Sequence, residues 1–268
     1  MSLAAHPLIG DWLTVCDGRI VVKSGKVDIG QRISTALARI AAEELCLAPD
    51  DIDVAPVRTG YSPDEGITSG SNSIEQSGAA LRAAAASLRH HLMDAAAVRL
   101  GADRSSLEIR DGLIVDRASN RSLKLVDLAS ALDSELRVNP EAESIPIAER
   151  PPPTKTPPRG LAEMVRGAFR YVHDLERPGM LHARIVRPPH YHARVRDIGP
   201  GVVEALQGQG IRMVRDGSFL AVAGDAEYPA IRAAQRLAGA CDWDMDEGLT
   251  EADIFTRLRE APRTSLPV

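Results

Sequence analysis

The 268-residue sequence predicts an α+β fold in two parts. Three observations predict it. Short alternating segments turn at Asp-Gly pairs, the mark of β-hairpins. Stretches with helical periodicity lie between them, one of them rich in alanine. A segment at residues 139–160 carries Pro140, Pro146, Pro151, Pro152, Pro153, Pro157 and Pro158. Proline at that density excludes helix and central strand and predicts an extended connector. The expected layout is a first domain over 1–138, the connector over 139–160, a second domain over 161–243 and a polar tail over 244–268.

The elements follow in order. Trp12 to Val15 and Arg19 to Lys23 flank the turn Asp17-Gly18. A loop with Gly25 and Gly30 leads into a helix from Gln31 to Leu47, where Ile33, Leu37, Ile40, Ala41 and Leu45 share a face. Pro49 marks its end, and Ile52 and Val54 alternate with polar or small residues as a short strand. Residues 61–73, rich in Gly, Ser, Asp and Thr, feed a long helix from Ile74 to Leu100 that stops near Gly101. Its many alanines favour helix and close packing. A second hairpin, Leu107 to Arg110 and Leu113 to Asp116, turns at Asp111-Gly112, and a short helix from Leu125 to Leu132 closes the first part. In the second part Leu181 to Arg187, Arg212 to Arg215 and Phe219 to Ala223 read as strands. Tyr228 to Ala240 reads as a helix, with Ile231, Ala234 and Leu237 at helical spacing.

Composition excludes several function classes. With 44% hydrophobic residues the chain can bury real cores without disulfides or metals. There are 32 basic against 37 acidic residues, a net charge of −5, which argues against general nucleic-acid binding. Only nine residues are aromatic, too few for base-stacking platforms. No apolar run reaches the roughly 18 residues a membrane span needs, and nothing reads as a secretory signal. Cys16, Cys46 and Cys241 are scattered and form no C-x-x-C pair, so the chain builds no iron–sulfur or zinc site alone. Such cysteines suit a reducing, cytoplasmic setting.

Two loops carry the chemistry. Gly25-Lys26-Val27-Asp28-Ile29-Gly30-Gln31 and Thr68-Ser69-Gly70-Ser71-Asn72-Ser73 each stand directly before a helix. Small residues, free backbone N–H groups and a positive helix end together suit phosphate or another anion. The hydroxyls of Thr68, Ser69, Ser71 and Ser73 add donors. Ordinary Ser-rich helix caps have the same composition.

In these residues the chain resembles the molybdopterin-binding subunit of the xanthine oxidase family. The likeness is carried by Gly25-x-Val27-Asp28-x-Gly30-Gln31, Thr35-Ala36-Leu37 and Ala42-Glu43-Glu44-Leu45. It continues through Pro63-Asp64-Glu65-Gly66, Thr68-Ser69-Gly70-Ser71-x-Ser73 and Gly78-Ala79-Ala80-Leu81-Arg82. Tyr171 to Leu175 and Pro178 to Arg187 resemble the start of that family's small α/β hammerhead domain. The branch most similar contains nicotinate dehydrogenase and isoquinoline 1-oxidoreductase.

The resemblance implies part of a molybdopterin-binding domain followed by a hammerhead-like domain, as the smaller piece of a split subunit. It implies a molybdenum cofactor held through its pterin, often as a cytosine dinucleotide, and hydroxylation of an N-heterocycle or related carbonyl compound with oxygen from water. A larger molybdopterin-binding partner chain would carry the catalytic glutamate, and an iron–sulfur subunit would remove electrons. By match, the cofactor-binding positions are Gly30, Gln31, Arg32, Thr68, Ser69, Gly70, Ser71 and Ser73. The sequence departs from the family pattern Gly-Gln-Gly at Arg32, which could pair with phosphate, point elsewhere or block the pocket. Asp28 replaces a glutamate, and Met164-Val165-Arg166-Gly167 replaces Lys-Val-Thr-Gly. Two alternatives therefore stand beside the hydroxylase: a cofactor-free hydrolase of cyclic amides, lactones or diketones, and a non-catalytic scaffold.

Other groups read as structural. His90 and Asp94 lie one helical turn apart, too few ligands for a metal. Glu43-Glu44 reads as an exposed pair carrying salt bridges.

Overall fold

The computed structural model describes residues 2–133, 135–150, 157–245 and 251–264. Pro151, Pro152 and Pro153 of the expected connector, and residues 246–250 and 265–268 of the expected tail, lie outside the described residues. The chain divides into two units, Met1–Tyr171 and Val172–Val268.

The first unit opens with short helices α1 (Ser2–Ala5) and α2 (Ile9–Trp12), then the hairpin β1 (Leu13–Cys16) and β2 (Arg19–Val22). Asp17 and Gly18 both take positive φ at its turn, as Asp-Gly hairpin turns require. Helix α3 (Ile33–Leu45) follows, and β3 (Ile52–Val54) pairs parallel to β2. A π-helical turn, Ser73–Gly78, runs into the long α4 (Ala79–Leu100). The antiparallel set β4 (Leu107–Arg110), β5 (Leu113–Asp116) and β6 (Ser122–Lys124) and helix α5 (Leu125–Ser130) come next.

One core joins these elements. The expected face of α3, namely Ile33, Leu37, Ile40, Ala41 and Leu45, is buried throughout. It packs on β3 and on α4, whose Ala80, Ala84, Ala85 and Ala96 are buried too. Small side chains bring the two helices close: a Cβ on Gly78 would stand 2.9 Å from Ile40 Cδ1. Trp12 is fully buried, and its indole N–H donates to the His6 carbonyl.

The described parts of the proline-rich segment, 139–150 and 157–160, are bound to α3 and α4 at several points, with one 3-10 turn at Ile147–Glu149, and the first unit runs on to Tyr171. Asn139 N–H donates to Ser87 Oγ, and Ile145 N–H donates to Glu44 Oε2 at 3.1 Å. Arg159 N–H donates to Thr35 Oγ1, and its guanidinium donates to the Pro49 and Ile52 carbonyls. A short helix, α6 (Leu161–Val165), follows. Glu44 corrects the sequence reading. It is buried at 0% exposure, and Arg82 and Arg89 both pair with it, Arg82 also pairing with Glu43. Helical periodicity placed Glu44 on a side that α4 and the 139–150 segment cover.

In the second unit β7 (His182–Val186), β10 (Phe219–Gly224) and β9 (Arg212–Asp216) form a three-stranded sheet in the order β7-β10-β9. Helix α8 (Glu227–Ala240) packs against it through Ala230, Ala233 and Leu237, all buried. The sequence reading missed β8 (Arg194–Ile198), α7 (Val202–Gln207) and β11 (Cys241–Asp244). Strands β8 and β11 pair antiparallel, and they are charged segments with one or no buried side chain. Within the expected polar tail lies α9 (Glu251–Glu260), which exposes Phe255 and Leu258.

Candidate functional site

The structure brings the two predicted loops together in the first unit. Val27 N–H donates to Thr68 Oγ1 at 2.9 Å, a bond across 41 residues. The loops otherwise differ in how their polar groups are used.

The first loop folds on itself. Asp28 Oδ1 accepts from Gly30 N–H at 3.0 Å and Arg32 N–H at 3.3 Å, and Oδ2 accepts from Ser34 Oγ. Asp28 thereby ties the turn to the start of α3 through Ser34, while the backbone N–H groups of the first helical turn receive no side-chain cap among the described residues. Gln31 closes the turn: Oε1 accepts from Ile29 N–H at 2.7 Å and Nε2 donates to the Val27 carbonyl at 2.9 Å. Both ends of the Gln31 amide are thus spent inside the loop.

Arg32 has φ +66°, a left-handed conformation that favours glycine. Among the described residues its side chain pairs with no carboxylate, and it does not turn into the loop. One N–H reaches the Arg159 carbonyl at 3.5 Å, and the guanidinium stands 6.0 Å from the Phe169 ring centroid. Phe169 packs on Tyr171 at 4.9 Å between centroids. Of the three fates open to Arg32 in the sequence, the structure shows engagement with the 159–169 segment.

The second loop stays open. Gly70 and Ser71 take positive φ, at +66° and +59°. The hydroxyls of Ser69, Ser71 and Ser73 make no hydrogen bond among the described residues, and Ser69 and Ser71 are exposed. Asn72, which precedes the π turn, gives it no side-chain cap. Free hydroxyls and uncapped N–H groups at the start of a long helical run form a donor-rich, electropositive end. That donor set fits phosphate oxygens and the polar edge of a pterin.

Beneath both loops lies a polar cluster the sequence reading passed over. Glu65 Oε2 accepts from Gly25 N–H at 2.8 Å, Ser24 Oγ at 2.8 Å and Ser77 Oγ at 3.0 Å. The ammonium of buried Lys26 donates to the Glu65 carbonyl at 2.7 Å. Gly25 permits this closeness, since a Cβ there would stand 2.2 Å from the Pro63 carbonyl oxygen. Gly25 and Glu65 were each visible in motifs of the sequence; that the two meet was not.

The His90–Asp94 pair is occupied otherwise. Arg104 donates to His90 Nδ1 and pairs with Asp94, while His90 Nε2 faces the Glu143 carbonyl. Among the described residues no three His, Cys, Asp or Glu side chains form a metal-holding group.

Comparison with known proteins places the chain. A family described as the molybdopterin cofactor-binding domain matches residues 13–158, more than half of the chain and both loops. A nicotinate dehydrogenase subunit from Pseudomonas putida is 32% identical over 94% of this chain and 22% of its own length. The gamma subunit of the 6-hydroxypseudooxynicotine dehydrogenase complex from Paenarthrobacter nicotinovorans is 35% identical over 43% of this chain and 15% of its own. The chain therefore spans about a fifth or less of these relatives. A Cu,Mo-CO dehydrogenase structure aligns over 47% of this chain and 17% of its own at 24% identity and a TM-score of 0.41. The resemblance read in the motifs Gly25–Gln31 and Thr68–Ser73 is borne out by the family match, and the chain belongs to the molybdopterin cofactor-binding domain family.

Proposed function

We propose that this chain is a subunit of a heteromeric molybdenum hydroxylase and helps to hold its molybdopterin cofactor. One observation carries the reading: the donor-rich loop Thr68–Ser73, inside the family match, is tied to the Gly25–Arg32 loop by the Val27–Thr68 bond. In this reading Thr68, Ser69, Gly70, Ser71 and Ser73 present hydroxyl and backbone donors to the cofactor, with Gly30, Gln31 and Arg32 bordering it. Gln31 reaches the group only by giving up its bonds to Ile29 and Val27. Arg32 leaves the second loop open, because Phe169 and the Arg159 carbonyl hold its side chain. When bound, the cofactor supplies two-electron oxidation of a small N-heterocycle or related carbonyl compound with oxygen from water. The cytosine dinucleotide form suits a loop with donors to spare for a second phosphate.

Both relatives are named as subunits of dehydrogenases, which supports a partner chain. We assign the catalytic base to a larger molybdopterin-binding partner and electron removal to an iron–sulfur subunit. Val27, Ile29 and Ile67, exposed beside the two loops, supply apolar surface for such a partner to cover. The second unit, expected as a hammerhead-like domain over 161–243, serves as a structural module in this scheme. Three free cysteines suit a cytoplasmic setting. Among the described residues no helix is long and apolar enough to cross a membrane.

The test is elemental analysis with an absorption spectrum on the complex co-purified with its natural partner. Near-stoichiometric molybdenum with released pterin is the expected result. A well-folded complex from a cofactor-competent host that holds neither would overturn the proposal and favour the hydrolase.

A further inference from the structure

We infer that Glu65 is the positioning residue that locks the two loops into a single site. Its importance for cofactor binding rests on the function proposed above, but the locking itself does not.

The carboxylate joins three stretches of chain. Ser24 and Gly25 lie just after β2, Glu65 itself lies just before Thr68, and Ser77 belongs to the π turn that opens α4. All three donors converge on Oε2. The other oxygen, Oε1, is buried and has no hydrogen-bond partner among the described residues. Every bond the carboxylate makes among the described residues is therefore directed at this junction. Its surroundings make the bonds strong: Ser24 is 3% exposed, Ser77 0% and Lys26 5%, so water competes poorly for the donors. The backbone agrees. Gly25 sits so close to the Pro63 carbonyl that the two segments cannot slide past each other without breaking these bonds. Two residues beyond Gly25, Val27 N–H meets Thr68 Oγ1, and Thr68 is three residues beyond Glu65. Glu65 therefore sets the distance between the loops at one end and the Val27–Thr68 bond sets it at the other.

Loss of the carboxylate strands Gly25 N–H in a buried place and leaves the Ser24 and Ser77 hydroxyls, 3.0 Å apart, only each other as acceptors. Both loops then loosen as a unit. Glutamine keeps a carbonyl oxygen for the three donors and puts an amino group where Oε1 already lacks a partner, so Glu65→Gln restores most of the lock.

The experiment is hydrogen–deuterium exchange on the co-purified complex, reading peptides over 24–31, 63–77 and 85–100. Glu65→Ala is expected to speed exchange about tenfold in both loop peptides and to leave 85–100 unchanged. Glu65→Gln is expected to stay within about threefold of the parent protein. Ser77→Ala, a milder change should Glu65→Ala fail to fold, is expected to speed both loops by a smaller factor. Leu92→Ala, a cavity in α4 away from the loops, controls for general destabilisation. The inference is overturned if only 63–67 responds, or if Glu65→Ala reproduces the Leu92→Ala pattern. The same samples are assayed for molybdenum. If the parent complex holds none while both loops respond to Glu65→Ala, the cofactor reading fails and the lock stands. If the parent is loaded and Glu65→Ala retains equal metal, the lock has no bearing on the site and the inference as drawn fails.

Discussion

The loop Gly25–Arg32 spends the side chains of Asp28 and Gln31 on its own turn, whereas Thr68–Ser73 leaves the hydroxyls of Ser69, Ser71 and Ser73 without a partner among the described residues. Both stand before a helix and both are rich in small or polar residues. The contrast separates frame from recogniser. A loop whose donors are satisfied internally is rigid and offers little to a ligand. A loop held in place from outside, with donors turned to solvent, is preorganised at small cost because water satisfies those groups until a ligand does. Here the outside support comes from Glu65 and from Val27.

Substitutions test this division, and their expected effects descend in size. Gly25→Ala forces a Cβ against the Pro63 carbonyl and is expected to cost about 3 kcal/mol of stability, read by urea unfolding. A loss well under 1 kcal/mol would mean that the two segments move apart freely. Asp28→Ala removes two loop bonds and the bond from the Ser34 hydroxyl. It is expected to cost about 1–2 kcal/mol in the same assay. Gln31→Ala opens the turn of the frame and is expected to cost about 1 kcal/mol and to lower molybdenum content only in part; complete loss of metal at unchanged stability would make Gln31 a recogniser. Replacing Ser69, Ser71 and Ser73 together by alanine is expected to alter stability by less than about 0.5 kcal/mol while molybdenum content falls sharply. A large stability loss with full metal content would reverse the assignment of frame and recogniser.

A site distant from both loops supplies the pH control. The Asp116 carboxylate accepts from the Ser119 and Ser106 hydroxyls and from backbone N–H groups, which hold its pKa down to about 2 from an ordinary 3.8. A pKa lowered by folding adds stability that is present above the ordinary value and is lost as pH falls toward 2. Asp116→Asn is therefore expected to flatten the fall in Tm between pH 4 and pH 2, and to leave metal content untouched. An unchanged acid limb would show that other carboxylates govern it.

Much of the fold was legible in residue order. The hairpins were visible because Asp17-Gly18 and Asp111-Gly112 supply the positive φ that tight turns need. Helix α3 was visible because its apolar residues recur at helical spacing, and α4 because alanine and leucine fill it. The pair β8 and β11 was not, since Arg194–Ile198 and Cys241–Asp244 bury too little to show a period. Glu44 misled for a related reason. A carboxylate reads as solvent-facing until two arginines and a backbone N–H from remote segments enclose it.

At the site the division is sharper. Turn-forming glycines, the Ser-rich run and the helices behind them are local properties, encoded within a few neighbouring residues by dihedral preference and periodicity. They marked both loops from residue order alone. That the loops lie side by side, that Gln31 folds inward, that Arg32 turns to Phe169, and that Glu65 binds Ser24, Gly25 and Ser77 depended on the packed chain. Ser24 and Glu65 are 41 residues apart, and no local pattern records which distant donor a carboxylate will meet. That choice is made when the core of α3 and α4 closes and leaves these polar groups only one another to bond.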